Sequence, residues 1–78
     1  MNIYVSNLSF NVTDEDLQSY FAEYGEVSSA KVITDKFTNR SRGFGFVEMP
    51  DDTVAQKAIT ELDGATVDGR TIKVNLAK

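Results

Sequence analysis

The sequence has no cysteine, no histidine and only one proline. Without cysteine no disulfide can form, and without cysteine or histidine the usual zinc sites lose their ligands. Ser-His and Cys-His nucleophilic catalysis are excluded with them. No apolar run approaches the roughly 18 residues of a membrane-spanning helix, and no charged-then-apolar leader opens the chain. These absences leave the expectation of a soluble, cytoplasmic domain with no membrane partner, no metal and no cofactor. The 78 residues suffice for one small domain over positions 1–78, and 41% of them are apolar, enough for a core.

Positive charge is also in short supply: 8 Lys and Arg face 12 Asp and Glu, a net charge of −4. As a sum, this argues against a nucleic-acid partner, since phosphate contacts need cations. The distribution says more than the sum. Residues 13–26 hold Asp14, Glu15, Asp16, Glu23 and Glu26 and no base. Residues 27–47 hold Lys31, Lys36, Arg40 and Arg42 against Asp35 alone, and residues 69–78 hold Arg70, Lys73 and Lys78 with no acid. Charge is segregated along the chain, and the fold decides whether it is segregated in space.

The chain is punctuated clearly. Asn2 to Asn7 alternates like a strand. Thr13 is placed as a helix N-cap with Asp16 as a short-armed capping-box partner, and Val12 and Leu17 as a hydrophobic staple. Three acids in the first turn suit the helix dipole. Leu17, Tyr20, Phe21 and Tyr24 form one apolar stripe, and Gly25 is the expected stop. Val27–Thr34 is predicted as a strand, followed by a polar loop in which Asn39 can take a left-handed turn position. Arg42–Met49 is the next strand, ended by Pro50. Asp51 or Asp52 caps a second helix with the stripe Ala55, Ala58, Ile59, Leu62, stopped at Gly64. Val67, a turn at Asp68-Gly69 and a strand Thr71–Leu76 close the sequence as a hairpin. The predicted order is β-α-β-β-α-β, an α+β ferredoxin-like sandwich. Right-handed crossovers put both amphipathic helices on one face of a four-stranded antiparallel sheet and leave the other face to water.

Side chains alternate across a sheet, so parity assigns the faces. Ile3 and Val5 share one face; Asn2, Tyr4 and Ser6 share the other. In "RGFGFVEM", hydrophobicity alone does not choose between Gly43, Gly45, Val47, Met49 and Arg42, Phe44, Phe46, Glu48. The charges do: burying Arg42 or Glu48 unpaired would cost several kcal/mol, so the phenylalanines between them face water. Gly45 then lies beneath the helices, where a missing side chain permits close approach. By the same parity Ile72, Val74 and Leu76 point inward with Ala30 and Val32, while Lys73, Asn75, Lys31 and Ile33 point outward. The open face is expected to carry Tyr4, Phe44 and Phe46 ringed by Lys31, Arg42, Lys73 and Asn75, with the helix acids behind. Flat aromatics among cations suit unpaired bases and their phosphates.

At these residues the chain resembles the RNA recognition motif. "RGFGFVEM" is similar to the family's octamer, [KR]-G-[FY]-[GA]-F-V-x-[FY], and "IYVSNL" at Ile3–Leu8 is similar to its hexamer. The two stand in the family's order, about 40 residues apart, on predicted strands. The resemblance covers essentially the whole chain and extends to small bacterial and cyanobacterial single-domain members. It implies single-stranded RNA as partner, with single-stranded DNA as the competing ligand, and post-transcriptional regulation by a monomer. It implies that Tyr4 and Phe44 stack on bases, Phe46 packs on a sugar or base and Arg42 meets phosphate. Met49 departs from the octamer's closing aromatic; it faces the core, so packing rather than binding is affected. Asn2 shares the face of Tyr4 and joins the expected contacts. Arg40, like Lys36, is balanced between phosphate binding and an ordinary solvated loop. Phe37, where the family usually has a polar residue, is expected to fold onto the loop or sheet edge rather than stack. For Asp14-Glu15-Asp16 and Asp51-Asp52, capping is preferred to metal binding, because consecutive carboxylates on a helix start diverge. The competing functional class is a protein-interaction module on the same fold. An acyl-phosphatase-like hydrolase is disfavoured, since neither an activated nucleophile nor a phosphate-cradling glycine loop is visible.

Overall fold

The structure, a computed structural model, describes residues 1–77; Lys78, counted above among the C-terminal cations, lies outside the described residues. Strand β1 (Asn2–Ser6), helix α1 (Asp14–Ala22), strands β2 (Ser29–Thr34) and β3 (Ser41–Glu48), and helix α2 (Asp52–Leu62) are followed by short strands β4 (Thr66–Val67) and β5 (Arg70–Thr71) and by β6 (Lys73–Leu76). Four strands form one antiparallel sheet in the order β2-β3-β1-β6. The architecture is the ferredoxin-like α+β sandwich.

The caps act as the sequence indicates. The Asp16 N–H donates to Thr13 Oγ1 at 3.2 Å, and the Thr13 N–H donates back to Asp16 Oδ2 at 3.1 Å. Asp51 Oδ1 accepts from the Thr53 and Val54 N–H groups at 2.9 and 3.2 Å. Capping therefore accounts for Asp16 and Asp51. Asp14 has a further job: its Oδ1 accepts the Val32 N–H at 2.7 Å, where the β2–β3 register slips between Val32 and Thr34. β2 is an edge strand, and the carboxylate satisfies a donor on its open edge.

Leu17 and Phe21 from α1 and Ala55 and Ala58 from α2 are buried in one cluster with Ile3, Val5, Val32, Val47, Met49 and Val74. Both helices thus cover the same sheet face. Gly45 leaves room for both neighbours: a Cβ there would lie 2.5 Å from the Lys31 carbonyl oxygen of β2 and 3.1 Å from Leu17 Cδ2 of α1.

Three expectations change. Helix α1 ends at Ala22 with Glu23 as C-cap, so Tyr24 packs on the core from beyond the helix. Strand β2 begins at Ser29 rather than Val27. The strand expected over Thr71–Leu76 is divided at Ile72. Its first part is β5, paired with β4 across Asp68 and Gly69, which take φ of 50° and 80°, the positive values a tight hairpin turn needs. Ile72 still donates to the Ala65 carbonyl at 2.9 Å; β6 then joins β1, where Asp63 Oδ1 accepts the Val74 N–H at 3.0 Å. Leu76 has the inward parity but sits on an edge strand and stays 52% exposed.

Candidate nucleic-acid interface

The register assembles the open face in rows. Lys31 stands opposite Phe46, Phe46 opposite Tyr4, and Tyr4 opposite Asn75. One line across all four strands therefore reads cation, ring, ring, amide. In the adjacent row Phe44 stands opposite Ser6 and Ser6 opposite Lys73. On the other side of the aromatic row, Ser29, Glu48 and Asn2 are aligned. These residues share a face because each is two positions from the next on its strand. The intervening rows, such as Val32, Gly45, Val5 and Val74, are held against the helices.

The three rings form one cluster. Tyr4 lies with its centroid 5.8 Å from Phe44 and 5.5 Å from Phe46, tilted by 43° and 53°. Phe44 and Phe46 are 6.4 Å apart and perpendicular. Such tilted contacts are favourable for aromatic quadrupoles and hold the rings without covering them. Phe46 is 42% exposed; Tyr4 and Phe44 are half-buried. The Arg42 guanidinium carbon stands 5.9 Å from the Phe44 centroid, within cation–π range.

Of the residues singled out from sequence, Tyr4, Phe44, Phe46, Arg42, Lys31, Lys73 and Asn75 come together on the open face. Asn2 lines a depression with Lys31, Phe46 and Glu48. Arg40 is not on the sheet; it lies in the β2–β3 loop, near Phe10. Among the described residues the one ion pair joins the terminal ammonium to Asp52 at 3.9 Å, so none of these cations is held by a carboxylate. The far side has the opposite sign. Burial raises the Tyr20 hydroxyl above its ordinary pKa, and Asp16 and Asp68 push it the same way.

Two further phenylalanines lie in loops. Phe37 does not fold back: it is 96% exposed. Asp35 Oδ1 accepts the Phe37 and Thr38 N–H groups at 2.8 and 3.3 Å, and the Asn39 N–H returns to the Asp35 carbonyl at 2.9 Å. The tight turn, with Asn39 at the expected left-handed φ of 58°, turns Phe37 outward. Phe10, which sequence reasoning passed over as a loop residue, is 68% exposed at the end of the sheet. It shares a depression with Tyr4, Phe44, Arg42 and Arg70. A signal was available: the staple and the helix stripe use Val12 and Leu17, which leaves Phe10 with no core assignment.

Comparison with known proteins agrees with this geometry. The profile of the RNA recognition motif matches residues 3–73. RbpD of Nostoc sp. (strain PCC 7120), provisionally named as an RNA-binding protein, is 54% identical over all 78 residues, which span 83% of its length. The crystal structure of RNA binding protein PG1 is 53% identical and superposes with a TM-score of 0.96, covering 99% of this chain and 93% of that one. A Sex-lethal protein–RNA complex is 36% identical with a TM-score of 0.91, covering 97% of this chain and 47% of that one. This chain belongs to the RNA recognition motif family.

Proposed function

We propose that the chain binds single-stranded RNA across the open sheet face and acts in post-transcriptional regulation, as a monomeric domain over residues 1–78 in the cytoplasm. The observation that carries this reading is the in-register line Lys31, Phe46, Tyr4, Asn75, with Phe44 and Arg42 beside it. Family membership and the RNA-binding names of its relatives support it. Tyr4 and Phe44 stack on successive bases, and Phe46 packs against a sugar or base. Arg42, Lys31, Lys73 and Arg40 meet phosphates, while Asn75 and Asn2 offer donors and acceptors to base edges. The rings are partly exposed before any ligand arrives, so little rearrangement is needed.

Each stacked base contributes about 1–3 kcal/mol by truncation. Three such contacts, not additive and offset by ordering of the strand, correspond to a dissociation constant of about micromolar order. With few cations, the salt dependence is modest. The test is titration of a pool of short single-stranded RNAs, and of the same pool as DNA, against wild type and Phe44→Ala/Phe46→Ala. Weakened RNA binding by the double variant is expected, and equal binding would overturn the reading. A protein partner captured after nuclease treatment by both forms would favour an interaction module instead.

A further inference from the structure

Among the described strand residues the open face carries one acid. Lys31, Arg42 and Lys73 share that face as cations, and Glu48 alone is a carboxylate. The proposed platform gives Glu48 no task. On a surface that receives phosphates, an unspent negative charge works against binding. Among the described residues Glu48 is in no ion pair. Its backbone is fixed: the Glu48 carbonyl accepts the Ser28 N–H at 2.8 Å. The residue stands opposite Asn2 on β1 and Ser29 on β2, and all three are exposed. With Lys31 and Phe46 they line one depression of the sheet surface. A ring, an amide, a hydroxyl and a carboxylate thus lie within reach of a single base.

A carboxylate accepts and never donates, through two oxygens side by side. An unpaired base shows its Watson–Crick edge, and the edges meet this demand differently. Guanine places N1–H next to its N2 amino group, a pair of donors for the pair of oxygens. Adenine and cytosine have one amino group beside a bare ring nitrogen, whose lone pair would face the second oxygen. Uracil has one N–H between two carbonyls. Guanine is therefore the base that turns the acid from a liability into two charge-assisted hydrogen bonds. Its O6, next along the same edge, calls for a donor, and the Asn2 amide in the row of Glu48 supplies one.

We propose that Glu48 determines base specificity on the platform: the base seated on Phe46 is guanine, its N1–H and N2 amino group donate to the Glu48 carboxylate, and the Asn2 amide donates to O6. The inference rests on the platform reading and deepens it, since that reading leaves the base unnamed.

Replacement of one base tests it. RNAs of about seven uridines, with the central one kept or exchanged for guanosine, inosine, adenosine or cytidine, are titrated against wild type, Glu48→Gln and Phe44→Ala/Phe46→Ala. Wild type is expected to bind the guanosine RNA about tenfold more tightly than the adenosine, cytidine and all-uridine RNAs. Inosine keeps N1–H but lacks the amino group, and is expected to fall between them, about threefold weaker than guanosine. The Gln side chain has one acceptor and one donor group, so Glu48→Gln is expected to lose the preference while binding the all-uridine RNA within about twofold of wild type. The assignment is overturned if wild type shows no preference for guanosine, or if the preference survives in Glu48→Gln. Uniform tightening of every RNA by that variant is the second case, the mark of a charge that only repels phosphate. If Phe44→Ala/Phe46→Ala binds every RNA as wild type does, the platform reading itself fails, and the assignment with it. An unchanged melting temperature for Glu48→Gln separates a lost preference from a lost fold.

Discussion

Strand β3 presents two faces with opposite demands. Gly45, Val47 and, just past the strand, Met49 are buried under the helices, while Phe44, Phe46 and Glu48 alternate with them on the other side. The larger apolar side chains are on the wetter face. Burial follows from where the helices are, and the helices are where small and branched residues let them approach. Two phenylalanines make the contrast concrete. Phe21 is fully buried and Phe46 is 42% exposed, so the same substitution asks a different question at each. Phe21→Ala is expected to remove about 3–5 kcal/mol of stability, a large share of what a domain of this size has. Phe46→Ala should change stability by less than about 1 kcal/mol. Denaturant unfolding of both variants checks the pair; similar losses would mean that the open face is structurally part of the core.

The next effect reverses the comparison. With RNA as the readout, Phe44→Ala/Phe46→Ala is expected to weaken binding about 100-fold, from two stacking contacts of about 1–3 kcal/mol each that do not add fully. Phe21→Ala, measured under conditions where it is still folded, should bind within about threefold of wild type. Gly45→Ala follows in size. Its Cβ would lie 2.5 Å from a backbone oxygen and 3.1 Å from the Val32 Cα, neither of which can move as a side-chain tip can. A loss of about 1–3 kcal/mol is expected, read as a lowered denaturation midpoint at unchanged slope.

The faces of β3 were legible because Arg42 and Glu48 bracket its phenylalanines, and a charge is a stronger statement about exposure than an apolar residue. The helices were legible from their caps, Thr13 with Asp16 and then Asp51. Less legible was anything set by contacts distant in sequence. Thr71–Leu76 alternates without a break, and only the bonds of Ile72 to Ala65 and of Val74 to Asp63 divide it between ribbon and sheet. Parity gave Leu76 a direction but not a cover, since edge position is a property of the assembled sheet. Phe37 was expected to fold back because exposed phenylalanine is costly; the turn built on Asp35 overrides that preference locally. Arg70 and Phe10 were unreadable as neighbours, because 59 intervening residues have to fold before they meet.

Among the acids, Asp14 is distinguishable from its neighbours. It supplies a strand with an acceptor through the 2.7 Å bond from Val32, whereas no such bond is made by Glu15. Asp14→Ala is expected to cost about 1 kcal/mol, and Glu15→Gln about 0.3 kcal/mol through the helix dipole alone. Thermal unfolding of the two single variants compares them, and equal small losses would reduce Asp14 to a dipole charge.

The smallest expected effect probes the sign of the helix side. Burial raises the Tyr20 hydroxyl, and the negative charges of Asp16 and Asp68 raise it further. The unfolded chain gives up this proton at about pH 10; the folded one holds it longer. Below the unfolded value both states are protonated and the full stability is present. As pH rises through that value toward the raised folded one, the unfolded state binds fewer protons than the native state, so stability falls. Tyr20→Phe removes the titrating group and should flatten this alkaline loss, while Asp68→Asn should reduce it in part. Unfolding by urea at several pH values between about 8 and 11 reads the slope. An unchanged slope in Tyr20→Phe would mean that neither burial nor the acids hold the proton on the folded chain, whereas a slope lowered by Tyr20→Phe and left alone by Asp68→Asn would assign the alkaline loss to burial and leave Asp68 without a field at the hydroxyl.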